Sequence, residues 1–447
     1  MLLVIAGAGL AIYFLTVHPA HNSRPLGGAN LDVSPIVGAQ TEASIAVDPA
    51  NPRLLLIGTN DDTQPLFHAY VSTDEGRRWI STLGPPIAGE SSCTRGHPAV
   101  AIDDAGREYA AYIVATYNTR PSTPVFCSND IITRLQVAVR DGPHARWHAE
   151  TVPPPSYRYG FDDKPAIAVT ASGRVYLAWS RLFSDTYETT VLSYSDDHGK
   201  TWSQPVAVSR SLELPQLVTL TAHGNTLYVA GVDARRGIWI TRTLDGTHFG
   251  PVRAVAALRA NVASGCSIAS GHPLPEQAGQ CTGPNPTVVI SGGRVVVTYG
   301  DITSRAAQAV YAVGLDPSLR RVLFRTARVG LPASSTANQF WPTAAVDRSA
   351  HVLWLCYYDT SGSSNKRRAW FTCTASRNGR VWAAPVRASA QDSLADSILA
   401  DAYSYGGYVS VAAAHGVAHP AWIDTRNAAD DEEDVFTAAI PTKRVLH

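Results

Sequence analysis

Two stretches of the chain carry the same skeleton of chemically useful residues. Ser72-Thr73-Asp74-Glu75-Gly76-Arg77-Arg78-Trp79 and Ser195-Asp196-Asp197-His198-Gly199-Lys200-Thr201-Trp202 both read Ser, any residue, Asp, any residue, Gly, two residues, Trp. A hydroxyl two residues from a carboxylate, with an aromatic face nearby, invites a reading as an acid–base site. The same residue types also staple a hairpin. Ser and Asp bond to turn amides, Gly takes the left-handed conformation, and Trp packs on the adjoining sheet. Fainter copies decide between the two. "RDGPHARW" ending at Trp147, "TLDGTHF" ending at Phe249 and "SRNGRVW" ending at Trp382 stand at matching places. Such repetition marks a frame, so Asp74 and Asp197 are read as structural.

The elements that carry these turns repeat about every fifty residues. Residues 163–209 parse into four strands, PAIAV, RVYLAWS, TVLSYS and WSQPVAVS, and the motif falls between the third and the fourth. First strands recur as "TEASIAVDP" at 41, "GHPAVAIDD" at 96, "KPAIAVT" at 164, "LPQLVTLT" at 214, "NPTVVIS" at 285, "WPTAAVD" at 341 and "GGYVSVAAA" at 406. Each unit is a small sheet with two apolar faces, which neighbours must cover, and stacking the units around an axis does so. The reading is an all-β propeller of seven four-stranded blades, with six as the alternative. The seventh copy, from about 403 to 441, offers only three strands. "LDVSPIVG" at 31–38 is expected to supply the fourth and close the ring.

The two full motifs resemble the Asp-boxes of the sialidase and BNR-repeat superfamily, and "AYSYGGYVSV...AHPAWIDTRN...EDVFTAAI" is similar to the closing blade of its bacterial members. The resemblance covers roughly residues 31–441. It implies a structural role for Ser72, Asp74, Gly76, Trp79, Ser195, Asp197, Gly199 and Trp202, on the face opposite any active site. Catalytic members carry an Arg-Ile-Pro signature at the start of the first blade. Here that stretch reads "AQTEASIAVDPANPR", with no Arg before the strand.

Chemistry is therefore expected on the other face, in loops before first strands and after second strands. The resemblance implies three guanidinium forks for a substrate carboxylate, a Tyr nucleophile activated by Glu, and an Asp acid. By residue type and loop position the candidates are Arg95, Arg181 and Arg426 for the forks, Tyr405 with Glu188 for the nucleophile pair, and Asp163 for the acid. His97 in "RGHPAV" and Lys164 in "DDKPAI" each precede Pro at equivalent positions and are expected to face the axis. The Asp residues that end second strands, Asp233, Asp301, Asp359 and Asp424, recur too regularly for catalysis and are expected to cap loop amides. The run Asp430-Asp431-Glu432-Glu433-Asp434 offers carboxylates for Ca²⁺ but lacks the alternation of a calcium loop. A solvated loop without cofactor or metal is expected there.

Composition sets the outer limits. Ten Trp, eighteen Tyr, thirty-four Gly, twenty-nine Pro and one Met among 447 residues describe short aromatic strands and tight turns. Thirty-seven basic residues balance thirty-seven acidic ones, which argues against nucleic acid as a partner. MLLVIAGAGLAIYFLTV is seventeen residues without charge, and no basic start or small-x-small cleavage site accompanies it. Residues 1–17 are read as an uncleaved transmembrane anchor, 18–30 as a linker, 31–441 as the propeller and 442–447 as a tail. Gly7 and Ala11 offer a small-xxx-small surface for neighbouring helices of other membrane proteins. Six cysteines form local pairs, Cys93 with Cys127, Cys266 with Cys281 and Cys356 with Cys373. With no CxxC they read as disulfides, which places the propeller in the periplasm or outside the cell. Two functions are weighed. One is a membrane-anchored propeller that binds a glycan or protein and serves as a scaffold, and the other is an exo-sialidase-type hydrolase.

Overall fold

Seven sheets of four strands radiate from a common axis in a computed structural model that describes residues 30–61, 63, 66–85, 92–116, 132–153, 161–184, 187–212, 215–259, 272–274, 281–304, 307–394, 405, 407–427 and 433–446. Blade 1 runs through Gln40–Val47, Leu55–Asp61, His68–Ser72 and Ile80–Leu83, and blade 2 through Ser92–Ile102, Glu108–Thr116, Ile132–Arg140 and His148–Thr151. Blade 3 uses Phe161–Val169, Val175–Ser184, Tyr187–Ser195 and Val206–Ala207. Blade 4 uses Gln216–His223, Thr226–Asp233, Gly237–Thr243 and Arg253–Ala256. Blades 5 and 6 begin with Thr287–Ser291 and Gln339–Asp347. First strands touch their neighbours in order, and the last touches the first, so the ring is closed.

Closure is achieved by the N-terminal segment. Blade 7 contains Ser410–Ala414, Val417–Asp424 and Asp434–Thr437, and its outer strand is Leu31–Asp32, with Leu31 opposite Thr437 and Asp32 opposite Phe436. Seven blades therefore hold, and six do not. The fourth strand of blade 3 is shorter than the sequence suggests, because Pro205 lacks the N–H that a ladder needs.

Second strands such as Leu55–Asp61 and Val352–Asp359 are buried along their whole length, since a neighbouring blade covers each face. That is why stretches such as Leu55–Ile57 and Val352–Tyr358 read as unbroken apolar runs rather than alternating ones. The core is accordingly seven clusters, one at each blade interface. Trp179, Trp239, Trp354 and Trp422 are fully buried within them, and truncating one of these to Ala would cost about 3–5 kcal/mol.

The motif turns hold as built staples. Ser72 Oγ donates to Asp74 Oδ1 at 3.0 Å and accepts the Gly76 N–H at 2.9 Å, while Asp74 Oδ1 accepts from Arg78 N at 2.9 Å. Ser195 and Asp197 repeat the pattern with Gly199 N at 2.7 Å and Thr201 N at 2.9 Å, and Trp79 and Trp202 each donate to the carbonyl of their own motif glycine at 3.2 Å.

Cys356 and Cys373 face each other across the second and third strands of blade 6 and are disulfide-bonded. Cys281 is also disulfide-bonded, while Cys266, Cys127 and the Cys93 side chain lie outside the described residues, as does the apolar segment 1–17. Among the described residues no helix is long and apolar enough to cross a membrane.

Candidate functional site

The innermost strands share a local device that the sequence only hints at. In or just before the first part of each stands a residue in the left-handed region: Glu42 (φ 57°), His97 (49°), Lys164 (49°), Leu217 (52°), Asn285 (40°), Trp341 (50°) and Gly407 (76°). Strand pairing slips at the same places, between Thr41 and Ser44, Gly96 and Ala99, Asp163 and Ala166, Gln216 and Thr219, and Phe340 and Thr343. These are β-bulges, which bend a strand and re-aim its side chains. Six of the seven residues are not glycine, and each such conformation costs of order 1–3 kcal/mol. A strained ring of this kind is kept where the surrounding structure demands it.

The ring surrounds a pocket of ≈ 270 Å³ at the axis, to which Lys164, Leu217, Asn285 and Tyr408 contribute along with the strands behind them. Four successive blades, 7, 1, 2 and 3, join hands at its mouth. The Tyr408 hydroxyl bonds His97 Nδ1, and Glu42 Oε1 lies 2.9 Å from the same nitrogen. His97 Nε2 is 3.3 Å from Asp163 Oδ1, and Lys164 Nζ donates to Asp163 Oδ2 at 2.5 Å. Glu42 Oε2 is held by Asn60 Nδ2 at 2.6 Å and by the His97 backbone N–H at 3.0 Å. Burial raises the Asp163 carboxyl, but Lys164 and His97 together outweigh it and hold the group below the usual carboxylate range. The other side of the ring, from blades 4, 5 and 6, presents Leu217, Asn285 and Pro342, while Trp341 packs against the blade 6–7 core. The site is thus charged on one side, and apolar and amide on the other.

Asp163 is joined to His97 and to Lys164, and Lys164 lines the axial pocket. Arg181 does not stand free: it is buried, and its Nη1 sits 3.5 Å from Asp162 Oδ1 in the same blade. Burial in turn raises the Asp162 carboxyl to about 6, against the opposing pull of Arg181 and a 2.7 Å bond from Trp179 Nε1. Arg426 bonds Asp424 of its own blade and Asn30 of the closing segment at 3.2 Å, and stacks over Phe436. Neither guanidinium is poised as a fork at the pocket. Tyr405 departs from the role of an accessible nucleophile. Its ring is fully buried against Phe340 and Tyr358, and its hydroxyl donates to the Ser393 carbonyl at 2.7 Å. Tyr405 belongs to the blade 6–7 core, and Tyr408 is the tyrosine that bonds His97. Glu188 pairs with Leu182 across blade 3 and Arg95 lies at the blade 2 bulge; their side chains are outside the described residues.

The recurring Asp residues behave as caps. Asp233 accepts from Arg235 and Arg236 amides, Asp301 from Ile302, Asp359 from Ser361 and Asp424 from Arg426, all within 2.6–3.0 Å. Of the acidic run, 430–432 lie outside the described residues, and Asp434 Oδ2 accepts from Asn427 at 3.0 Å. Among the described residues no group of three metal-type ligands occurs. Sequence reasoning missed Glu42 and Tyr408. Aligning the seven first strands at the bulge would have found Glu42, since it occupies the place of His97 and Lys164.

No protein-family model matches the chain, and no curated protein does. Solved structures do match. The chain is similar to a Trypanosoma rangeli sialidase in complex with the inhibitor DANA, at 12% identity over 73% of this chain and 53% of that one, with a TM-score of 0.44. It is similar to the NanB sialidase from Streptococcus pneumoniae at 8% identity over 76% and 68%, TM-score 0.47. It is also similar to a Dyadobacter fermentans protein of unknown function at 15% identity over 74% and 94%, TM-score 0.44. The chain spans about half the length of the trypanosomal sialidase chain (53%).

Proposed function

We propose that the chain is a sialidase-like propeller that works as a binding module, taking a glycan at the axial pocket while its N-terminal segment holds it to a membrane on the extracytoplasmic side. The observation that carries this reading is the network Tyr408–His97–Glu42 and His97–Asp163–Lys164. Lys164 and Asp163 offset each other's charge, and Glu42, His97 and Tyr408 hold polar atoms at fixed positions beside them, which suits donors and acceptors for sugar hydroxyls. Arg181 and Arg426, the expected carboxylate forks, are engaged by aspartates of their own blades. Partner membrane proteins packed on Gly7 and Ala11 belong to the same proposal.

The test is a glycan microarray with the detergent-solubilised full chain, followed by titration calorimetry on any ligand retained. Binding that weakens at least tenfold in Lys164→Ala and His97→Ala, with melting temperature held, is the expected result; unaltered binding in both overturns it.

A second reading, an exo-sialidase-type hydrolase, is favoured by one contact. The Tyr408 hydroxyl bonds an imidazole that also touches two carboxylates, an arrangement able to take a phenolic proton. Turnover of a fluorogenic sialoside, lost in Tyr408→Phe, would decide for it.

A further inference from the structure

A second constellation lies far from the axis, on the outer half of blade 1. His68, in the third strand, directs Nδ1 to Asp61 Oδ2 at 2.6 Å and Nε2 to Ser81 Oγ at 2.7 Å. Asp61 ends the second strand and is itself fixed by the Thr63 N–H at 2.9 Å and the Thr63 hydroxyl at 2.6 Å. His68 and Asp61 are buried, whereas Ser81 is exposed on the edge strand Ile80–Leu83. The order across the sheet is thus carboxylate, imidazole, hydroxyl, running from the interior to solvent.

Hydrogen-bond chemistry orients this row. A carboxylate only accepts, so the proton of a neutral His68 sits on Nδ1 and Nε2 is left to accept from the Ser81 hydroxyl. Burial raises the Asp61 carboxyl, but bonds from His68 and Thr63 together bring it below its ordinary value, so it is ionised at neutral pH. The His68 ring is also stacked on Tyr70, with centroids 4.6 Å apart, which fixes its plane. Serine, base and orienting acid are each within hydrogen-bond reach of the next, the arrangement that makes a hydroxyl nucleophilic.

The edge supplies more. Gly84 N–H donates to the Phe67 carbonyl, and alternation along the ladder turns the Ser81 N–H away from the sheet. That donor lies beside its own Oγ, where an oxyanion would form. Leu83 shares the Ser81 face and lies opposite His68, and it is 42% exposed. It offers an apolar rest for an acyl chain.

We propose that Ser81, His68 and Asp61 form a second active site that cleaves short-chain carboxylic esters, independent of the axial pocket. Ser81 Oγ bonds to the ester carbonyl carbon as its proton passes to His68 Nε2. The tetrahedral oxyanion collapses, the alkoxide leaves with the proton from His68, and Ser81 is left acylated. Water then adds to the acyl carbon with His68 taking its proton, and the carboxylic acid departs as that proton returns to Ser81. Ser81 and His68 are the catalytic residues, and Asp61 is a positioning residue.

The test is labelling of the full chain with a fluorophosphonate, with the adduct located by peptide mass spectrometry, and hydrolysis of p-nitrophenyl acetate in parallel. A stoichiometric adduct on Ser81 that is absent from Ser81→Ala is expected. His68→Gln should slow labelling by roughly a hundredfold or more, and Asp61→Asn by roughly tenfold or more, with partial recovery in Asp61→Glu. Ser81 is exposed, so Ser81→Ala keeps its fold even where a buried variant does not. No adduct on Ser81 under conditions that fully label a known serine hydrolase overturns the proposal, as does equal labelling of a folded His68→Gln. Glycan binding at the axis is untouched by Ser81→Ala, so the two sites fail separately.

Discussion

Gly76, in the blade 1 motif turn, rests against the imidazole of His419 in blade 7, so closely that a Cβ at Gly76 would lie 3.5 Å from Nδ1. The turn thus seals the seam where the ring closes. His419 is buried, and burial pushes its imidazole down from 6.5 to about 4. The folded state prefers the neutral ring, so its contribution is complete above about 6.5 and is lost as pH falls from there to about 4. Each unit corresponds to ~1.4 kcal/mol. Urea unfolding at several pH values should show a steeper acid loss in the native chain than in His419→Gln. Parallel curves for the two would count against this account.

Asn60 stands beside Gly96 in the same way that His419 stands beside Gly76, but closer. A Cβ at Gly96 would fall 1.3 Å from Asn60 Oδ1, and Gly96 has φ +77°. Because Asn60 holds Glu42, Gly96→Ala should lower stability by roughly 3 kcal/mol and misplace the axial network. Chemical denaturation gives the first quantity and ligand titration the second.

The motif carboxylates serve only their turns. Asp74→Ala and Asp197→Ala each strand turn amides near the surface and should cost roughly 1 kcal/mol. Affinity at the axis should not move. A melting curve and a binding isotherm on each variant check both halves.

Ring closure depends on the segment after residue 30. Val33 is buried in the blade 7–1 cluster, and its N–H donates to the Val435 carbonyl at 2.8 Å. A chain beginning at residue 39 should therefore melt roughly 5 °C or more lower. Addition of a peptide spanning residues 30–38 should restore part of the loss, as read by differential scanning calorimetry.

Much of the frame could be read without coordinates. The first strands recur with a Gly-bearing turn after them, the turn motif fades but keeps register, and the shortfall of one strand in the last copy points to residues 31–38. Each signal is local, because strand alternation and turn chemistry act over a few residues. The site was legible only in part. His97, Lys164 and Asp163 meet beside the axial pocket, but Tyr405 and Tyr408 are three residues apart, and only the folded chain decides which of them enters the core. Arg181 and Arg426 looked available by type, and the aspartates that occupy them are evident only once strands are paired.

The sequence by itself determined the repeated β frame and the turns that staple it and pointed to the closing segment, while the structure decided seven blades over six. Tertiary structure decided which distant side chains meet. Tyr408 reaches His97 across 311 residues, and Glu42 reaches it across 55. The Asp61–His68–Ser81 row is closer in sequence, yet it depends on the register of three strands. Periodic patterning encodes which face a residue takes. The meeting of faces follows from ring curvature and from the bulges at the axis, which no single repeat contains.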